Sequence, residues 1–331
     1  MATKEQVEEK LDLVILPVVQ RSVMQLNLLR GVEIKDNRMK VTLADAALAP
    51  DMREWITSEV QNTLSGLDGI GGIAVDFEEA KPSDVNRVNK VVAVMSGKGG
   101  VGKSLVSGLL ALSLRRQGKS VGILDADVTG PSIPKMFGVN SRPGGSESGL
   151  LPATSKSGIE VISINLLLPN EDDAVIWRGP LIAKSIQQFW EDVLWGKLDY
   201  LVVDLPPGTA DVPLTVMQSL PLAGVILAFT PQDLTAMVVR KAVNMAKQMS
   251  IPVLGLVENM SYFIVPETDT KIEIFGPTKI VEMAAGTGAP ILGQIPLDPE
   301  LAKLCDKGEI EEYDSEVFKQ FQEAATRVLS Y

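Results

Sequence analysis

Apolar residues change their period along the chain, and the changes mark out the elements. Near the start, Val7, Leu11, Val14 and Ile15 fall on one helical face, predicting a helix that Pro17 ends. Val32 and Ile34 then alternate with polar residues, Asp36-Asn37 supply a turn, and Met39, Val41 and Leu43 alternate again, which predicts a hairpin. Asp51 is placed to cap a helix carrying Met52, Trp55, Ile56 and Val60 on one side. Ile73, Val75 and Phe77 read as a closing strand. These elements predict a small α+β domain over residues 1–78, followed by a polar linker, 79–90, that contains Pro82.

Beyond the linker, short apolar runs alternate with segments of helical spacing. Val91–Met95, Val121–Asp125, Val161–Ile164, Tyr200–Asp204, Val225–Thr230, Val253–Val257 and Ile291–Gln294 read as strands, and Ser104–Gly118 as a helix. Such alternation defines the α/β class: a doubly wound, mostly parallel sheet over residues 91–331, with helices on both faces. Val212–Pro231 carries no charge, yet its three prolines and its Thr215, Gln218 and Ser219 make it a helix and a buried strand, not a membrane span.

Composition narrows the function. With 31 Lys and Arg against 42 Asp and Glu, the formal net charge of −11 argues against nucleic acid or an anionic membrane as the main partner. The opening MATKEQVEEK is not a targeting segment, so a cytoplasmic location is expected. The absence of histidine excludes His-based acid–base catalysis and His-ligated metal. The single cysteine, Cys305, excludes an intrachain disulfide.

The candidate chemistry lies where strands end. After Val91–Met95, the residues Gly97, Lys98, Gly99, Gly100, Val101, Gly102, Lys103 and Ser104 satisfy G-x-x-x-x-G-K-[ST], the phosphate-binding loop. Glycines let the backbone turn several N–H groups toward phosphate, and the next helix offers its positive end to the same anion. Lys103 supplies a cation for the β- and γ-phosphates, and the Ser104 hydroxyl is suited to Mg²⁺. Asp125 and Asp127 follow the next strand. Asp125 is expected in the Mg²⁺ shell, and Asp127 to orient the attacking water. Asp204 ends another apolar strand, as a Walker B acid that holds a Mg²⁺ water, and Gly208 can offer its N–H to the γ-phosphate. Asn259, after a further strand, carries the donor and acceptor that an adenine edge needs.

Lys98, directly after the first glycine, makes the loop GKGGVGKS resemble the deviant Walker A loop of the MinD/ParA group. That resemblance implies an ATP-dependent homodimer in which Lys98 reaches the partner's nucleotide. The segments GKGGVGKS, LDADVTGPSIP, VIWRGPL, LDYLVVDLPPGTAD, TPQDLTAMVVRKA, VENMSYF, EIFG and IPLDPE, in that order, resemble the Mrp/ApbC family of iron–sulfur cluster carriers. The resemblance covers Val91–Tyr331, and residues 1–78 are similar to the assembly-type domain often fused ahead of it. It implies the nucleotide and Mg²⁺ roles already given, with ATP and Mg²⁺ as cofactors and iron–sulfur apoproteins or assembly proteins as partners. Leu105 stands where a threonine is common. Arg178, in VIWRGPL, is read as an anchor for the turn before a helix over Pro180–Trp195.

The family's cluster ligands are a C-x-x-C pair after the SYF segment. Here Val265 and Thr268 occupy those positions, and neither offers the thiolate that cluster iron prefers. In the small domain Ala49 precedes Pro50 where the family has cysteine, and Leu16-Pro17-Val18 replaces an acidic D-P-E pattern. Cys305 reads as an inert, partly buried residue. Two functions follow: a dimeric MgATPase of cluster assembly, or a nucleotide-switched adaptor that binds a protein partner without carrying a cluster itself.

Overall fold

The computed structural model describes residues 3–127, 130, 132–168, 179–209, 211–268 and 270–329, with backbone alone at 179–180 and 233–236. Arg178 lies outside the described residues. The chain divides into two compact units. The smaller contains residues 1–89, 142–154 and 188–198, so two of its stretches come from beyond the linker; the larger contains the remainder.

In the smaller unit, helix α1 (Lys4–Leu11) starts at a capping box: Thr3 Oγ1 accepts from Gln6 N at 3.3 Å, and Gln6 Oε1 accepts from Thr3 N at 3.0 Å. It ends at Leu11, short of the expected Pro17. The spacing Val7, Leu11, Val14 suits a helix, but Val14, Ile15 and Leu16 also alternate buried, exposed, buried. Tight turns at Leu13 and Val14 end the helix, and Ile15–Leu16 pairs antiparallel with Arg21–Ser22. The predicted hairpin forms from β1 (Leu29–Lys35) and β2 (Arg38–Asp45), with Ile34 opposite Met39. Asp36 and Asn37 both have left-handed φ, 48° and 60°, as a two-residue hairpin turn of the primed type requires. Helix α2 (Pro50–Leu64) begins one residue before Asp51. Pro50, its φ already set, takes the first helical position, and Asp51 lies in the first turn where the helix dipole favours a carboxylate. Strand β3 (Gly72–Glu79) joins β2 in parallel. Val7, Leu11, Met39, Val41, Leu43, Ile56, Val60 and Leu64 make the core, with Leu151 and Leu194 from the two later stretches.

The 188–198 stretch is tied in by the buried Arg21 and the half-buried Asn86. The Arg21 guanidinium donates to the carbonyls of Trp195 at 2.8 Å, Lys197 at 2.6 Å and Gln25 at 2.9 Å. Asn86 donates to Val193 O and accepts from Gly196 N, both at 2.9 Å. The expected linker contains a single helical turn at Pro82–Val85.

The larger unit is built on the expected α/β sheet. Its strands are β4 (Arg87–Met95), β5 (Val121–Asp125), β6 (Glu160–Ser163), β7 (Lys197–Asp204), β8 (Leu222–Phe229), β9 (Val253–Ile264), the short β10 (Lys271–Ile272) and β11 (Ile291–Leu297). The order is β6-β5-β7-β4-β8-β9, with β10 antiparallel and β11 parallel on β9. Helices α3 (Lys103–Arg116), α4 (Gly179–Asp192), α5 (Asp211–Ser219), α6 (Asp233–Gln248), α7 (Ile280–Thr287), α8 (Pro299–Lys307) and α9 (Glu316–Leu329) alternate with the strands. The uncharged run is α5 followed by buried β8, and among the described residues no helix is long and apolar enough to cross a membrane. Strand β9 runs on to Ile264, well past the expected end at Val257. Met260, at φ 55°, and a register shift against β11 between Asn259 and Phe263 place Asn259 at a bulge inside the strand.

Candidate nucleotide site

The strand order places β4, β5 and β7 side by side, so the loops after them converge at one edge of the sheet. The phosphate-loop residues follow β4 and lead into α3, whose N-terminal cap is Gly102 at φ 78°. Two glycines are fixed by their neighbours. A Cβ on Gly97 would lie 1.9 Å from Val238 Cγ1 of α6, and one on Gly102 would lie 2.1 Å from Asn259 Nδ2. Leu105, in the first turn of α3, is half-buried.

Lys103 is the centre of the site. Its ammonium stands 2.7 Å from Asp204 Oδ1, 3.4 Å from Asp127 Oδ2 and 3.3 Å from Ser104 Oγ, and its side chain is 5% exposed. Asp204, fully buried at the end of β7, also accepts from Ser104 Oγ at 2.5 Å and Ser107 Oγ at 2.7 Å. Three donors thus compensate one buried carboxylate. Ser107 is a participant the sequence reading missed. Its signal is a hydroxyl inside an otherwise apolar stretch of α3, one turn after Ser104.

Asp125 behaves differently. It accepts from Asp127 N at 3.2 Å and Ser163 Oγ at 3.1 Å. Burial, reinforced by the charge of Asp204, raises its pKa to about 8 against the opposing pull of Lys103. Burial thus favours the protonated form of Asp125, and a place in a metal shell requires it to give up that proton.

The remaining predicted residues sit around this centre with unforeseen partners. Gly208 N donates to Ser96 O at 2.9 Å, so the N–H expected to meet phosphate is bonded within the chain. Asn259 Nδ2 donates to Val101 O at 2.9 Å and braces the phosphate loop itself. Its neighbour Glu258, fully buried, accepts from Ser261 Oγ, Thr278 Oγ1, Lys279 N and Gln294 Nε2 at 2.6–2.9 Å and ties β9 to the start of α7 and to β11. Lys98 Nζ donates to Gln232 Oε1 at 2.5 Å, a partner in its own chain. Gln232 lies in TPQDLTAMVVRKA, but nothing local in that segment marks it as facing the loop. Gly99 and Gly100 are exposed.

A glycine-rich loop that opens a helix, a lysine and a serine at its end, and an aspartate at the end of a neighbouring strand define a P-loop nucleotide-binding protein of the doubly wound class. The chain matches, over residues 87–329, the ParA family model described as NUBPL iron-transfer P-loop NTPase, and it belongs to that family. It is similar to the iron–sulfur cluster carrier protein of Aquifex aeolicus, 47% identical over 247 residues that span 73% of this chain and 68% of the relative. A longer match, 36% identical over 324 residues, joins 94% of this chain to 87% of the iron–sulfur cluster carrier protein of Haemophilus influenzae. Among solved structures it resembles a nucleotide-binding protein in complex with ADP from Archaeoglobus fulgidus, with 47% identity, a TM-score of 0.63, and coverage of 70% of this chain and 91% of that one. The MinD protein of Pyrococcus horikoshii, at 18% identity and a TM-score of 0.50 over 73% of this chain and 96% of that one, shares the fold.

Proposed function

We propose that this chain binds and hydrolyses MgATP as a cytoplasmic homodimer and serves iron–sulfur cluster assembly. The observation that carries the reading is the junction of Lys103, Ser104 and Asp204 where the phosphate loop enters α3. Lys103 would exchange its carboxylate partners for phosphate oxygens. Gly97–Ser104 would cradle the phosphates, Asp127 would orient the attacking water, and Asn259 would face adenine. Gly208 would turn its N–H from Ser96 to the γ-phosphate. Lys98, presented to the partner subunit's nucleotide, would add a transition-state cation worth roughly 10³–10⁵ in rate, by analogy with an arginine finger.

The donor set fits Mg²⁺. Ser104 Oγ and Asp204 Oδ2 are hard oxygen ligands 2.5 Å apart, and no cage of three or more His, Cys, Asp or Glu side chains occurs among the described residues. An ion held through one or two protein oxygens, substrate phosphates and water is the usual Mg²⁺ arrangement. When bound, Mg²⁺ neutralises charge on the phosphates; Ser104 and Asp204 would hold it, and Asp125 would join once ionised.

The residues do not fit an iron–sulfur cluster. Val265 and Thr268 close a turn, with Thr268 N donating to Val265 O at 3.4 Å, and neither has a thiolate. That substitution favours the second reading, in which the ATP-closed dimer binds a cluster-bearing protein or its apoprotein target. The discriminating experiment is steady-state hydrolysis together with anaerobic reconstitution. Lys98→Ala should keep nucleotide binding and lose turnover, and the native chain should take up no stoichiometric iron. Unchanged turnover in Lys98→Ala would overturn the trans-acting lysine, and stoichiometric iron per dimer would restore the carrier role.

A further inference from the structure

The Lys98 backbone is pinned, and its side chain is held by a neutral acceptor. Ser96 Oγ donates to Lys98 O at 2.9 Å, and Gly97 is pressed so closely on α6 that a Cβ there would lie 1.9 Å from Val238 Cγ1. From this fixed point the ammonium reaches Gln232 Oε1 at 2.5 Å. Gln232 is the N-cap residue of α6, but its side chain makes no capping bond to the helix; its amide oxygen goes to Lys98 instead. The acceptor is neutral, so a phosphate or carboxylate competes with it easily. Two residues earlier, the Thr230 hydroxyl is buried with no hydrogen-bond partner among the described residues. A buried, unmade hydrogen bond is costly, so the segment Thr230–Gln232 is held in an arrangement that does not satisfy it.

We propose that Gln232 is a positioning residue for Lys98: its amide holds the ammonium within its own subunit and gives it up when a second copy brings its nucleotide alongside. Thr230–Gln232 and the start of α6 then relax, so the helix start reports whether the lysine has crossed. The hold lowers the fraction of subunits competent to pair, and so raises the protein concentration needed for activity. This inference rests on Lys98 acting in trans.

Turnover measured against enzyme concentration tests it. Gln232→Glu replaces the neutral acceptor with a carboxylate and should raise the half-maximal enzyme concentration about 10-fold, whereas Gln232→Ala releases Lys98 and should lower it about 3-fold. ADP affinity, measured with a fluorescent analogue, should stay within about 2-fold in both variants, which also establishes folding. In a Lys98→Ala background, the two Gln232 variants should not differ in ATP-driven dimerisation followed by sedimentation. If Lys98→Ala loses turnover but the Gln232 variants shift together, do not shift, or still differ without Lys98, the positioning role is overturned and the trans-lysine reading stands. If Lys98→Ala retains full turnover, the trans-lysine reading itself fails and this inference with it.

Discussion

The Ser104 hydroxyl donates to Asp204 Oδ2 across 2.5 Å and joins the first turn of α3 to the end of β7. Ser107 and Lys103 complete the set of donors to the same carboxylate. This cluster stabilises the fold as well as preparing a phosphate site. Removing Lys103 leaves a fully buried carboxylate without its counter-ion, which costs about 3–5 kcal/mol in comparable buried pairs. Lys103→Ala should therefore lose stability of that order in urea titrations without nucleotide, and adding Asp204→Asn should recover part of it. Additive losses would show that the two residues are independent.

Gly102 and Asn259 meet at the loop. A methyl group on residue 102 would approach Asn259 Nδ2 to 2.1 Å and would also have to adopt φ 78°. Gly102→Ala should cost about 1–3 kcal/mol from the strained backbone, with further loss from the clash. Asn259→Ala removes the clash but not the strain. The double variant should accordingly be more stable than the sum of the single losses predicts, by 1 kcal/mol or more in a double-mutant cycle (about the size of coupling seen between touching residues).

Cys305 is half-buried on α8. Burial, with the nearby Asp306 charge, pushes its thiol pKa up to about 11. The thiolate is the reactive form, so at pH 8 alkylation should run about a hundredfold slower than for an ordinary cysteine and rise about tenfold per pH unit toward pH 11. The sign follows from the raised pKa: the native state holds the proton that an unfolded chain would release near pH 9. Iodoacetamide kinetics in native buffer and in urea give the ratio, and equal rates would refute the shift.

Arg21 donates to three carbonyls, two of them on the 188–198 stretch, and is 7% exposed. Arg21→Met keeps the bulk of the side chain but strands those acceptors, and should cost about 2–4 kcal/mol in the smaller unit. Hydrogen exchange should accelerate at residues 193–198. An unchanged exchange pattern would show that the guanidinium is dispensable.

Local patterning made some features readable. Asp36-Asn37 announces its hairpin because few residues accept left-handed φ, and GKGGVGKS carries its strand–loop–helix context in adjacent residues. Asp204 was legible because an apolar strand ending in an acid is a one-segment signal. The failures share a different cause. The end of α1 is ambiguous in sequence because Val14–Leu16 fits a period of two as well as the helical one. The length of β9 was hidden by the bulge at Met260, which breaks the alternation that marks a strand. Gln232 and the Ser96 carbonyl that holds Gly208 become partners only through tertiary contact, and no spacing along the chain encodes those meetings.

The smaller unit draws its interior from three separated stretches, so its folding has an order in time. Leu194 belongs to the same core as Val85 but is synthesised about 110 residues later, a delay of roughly 5–20 s at ordinary translation rates. The first 89 residues must therefore leave the ribosome as an unfinished nucleus, waiting for stretches that are translated amid the sequence of the larger unit.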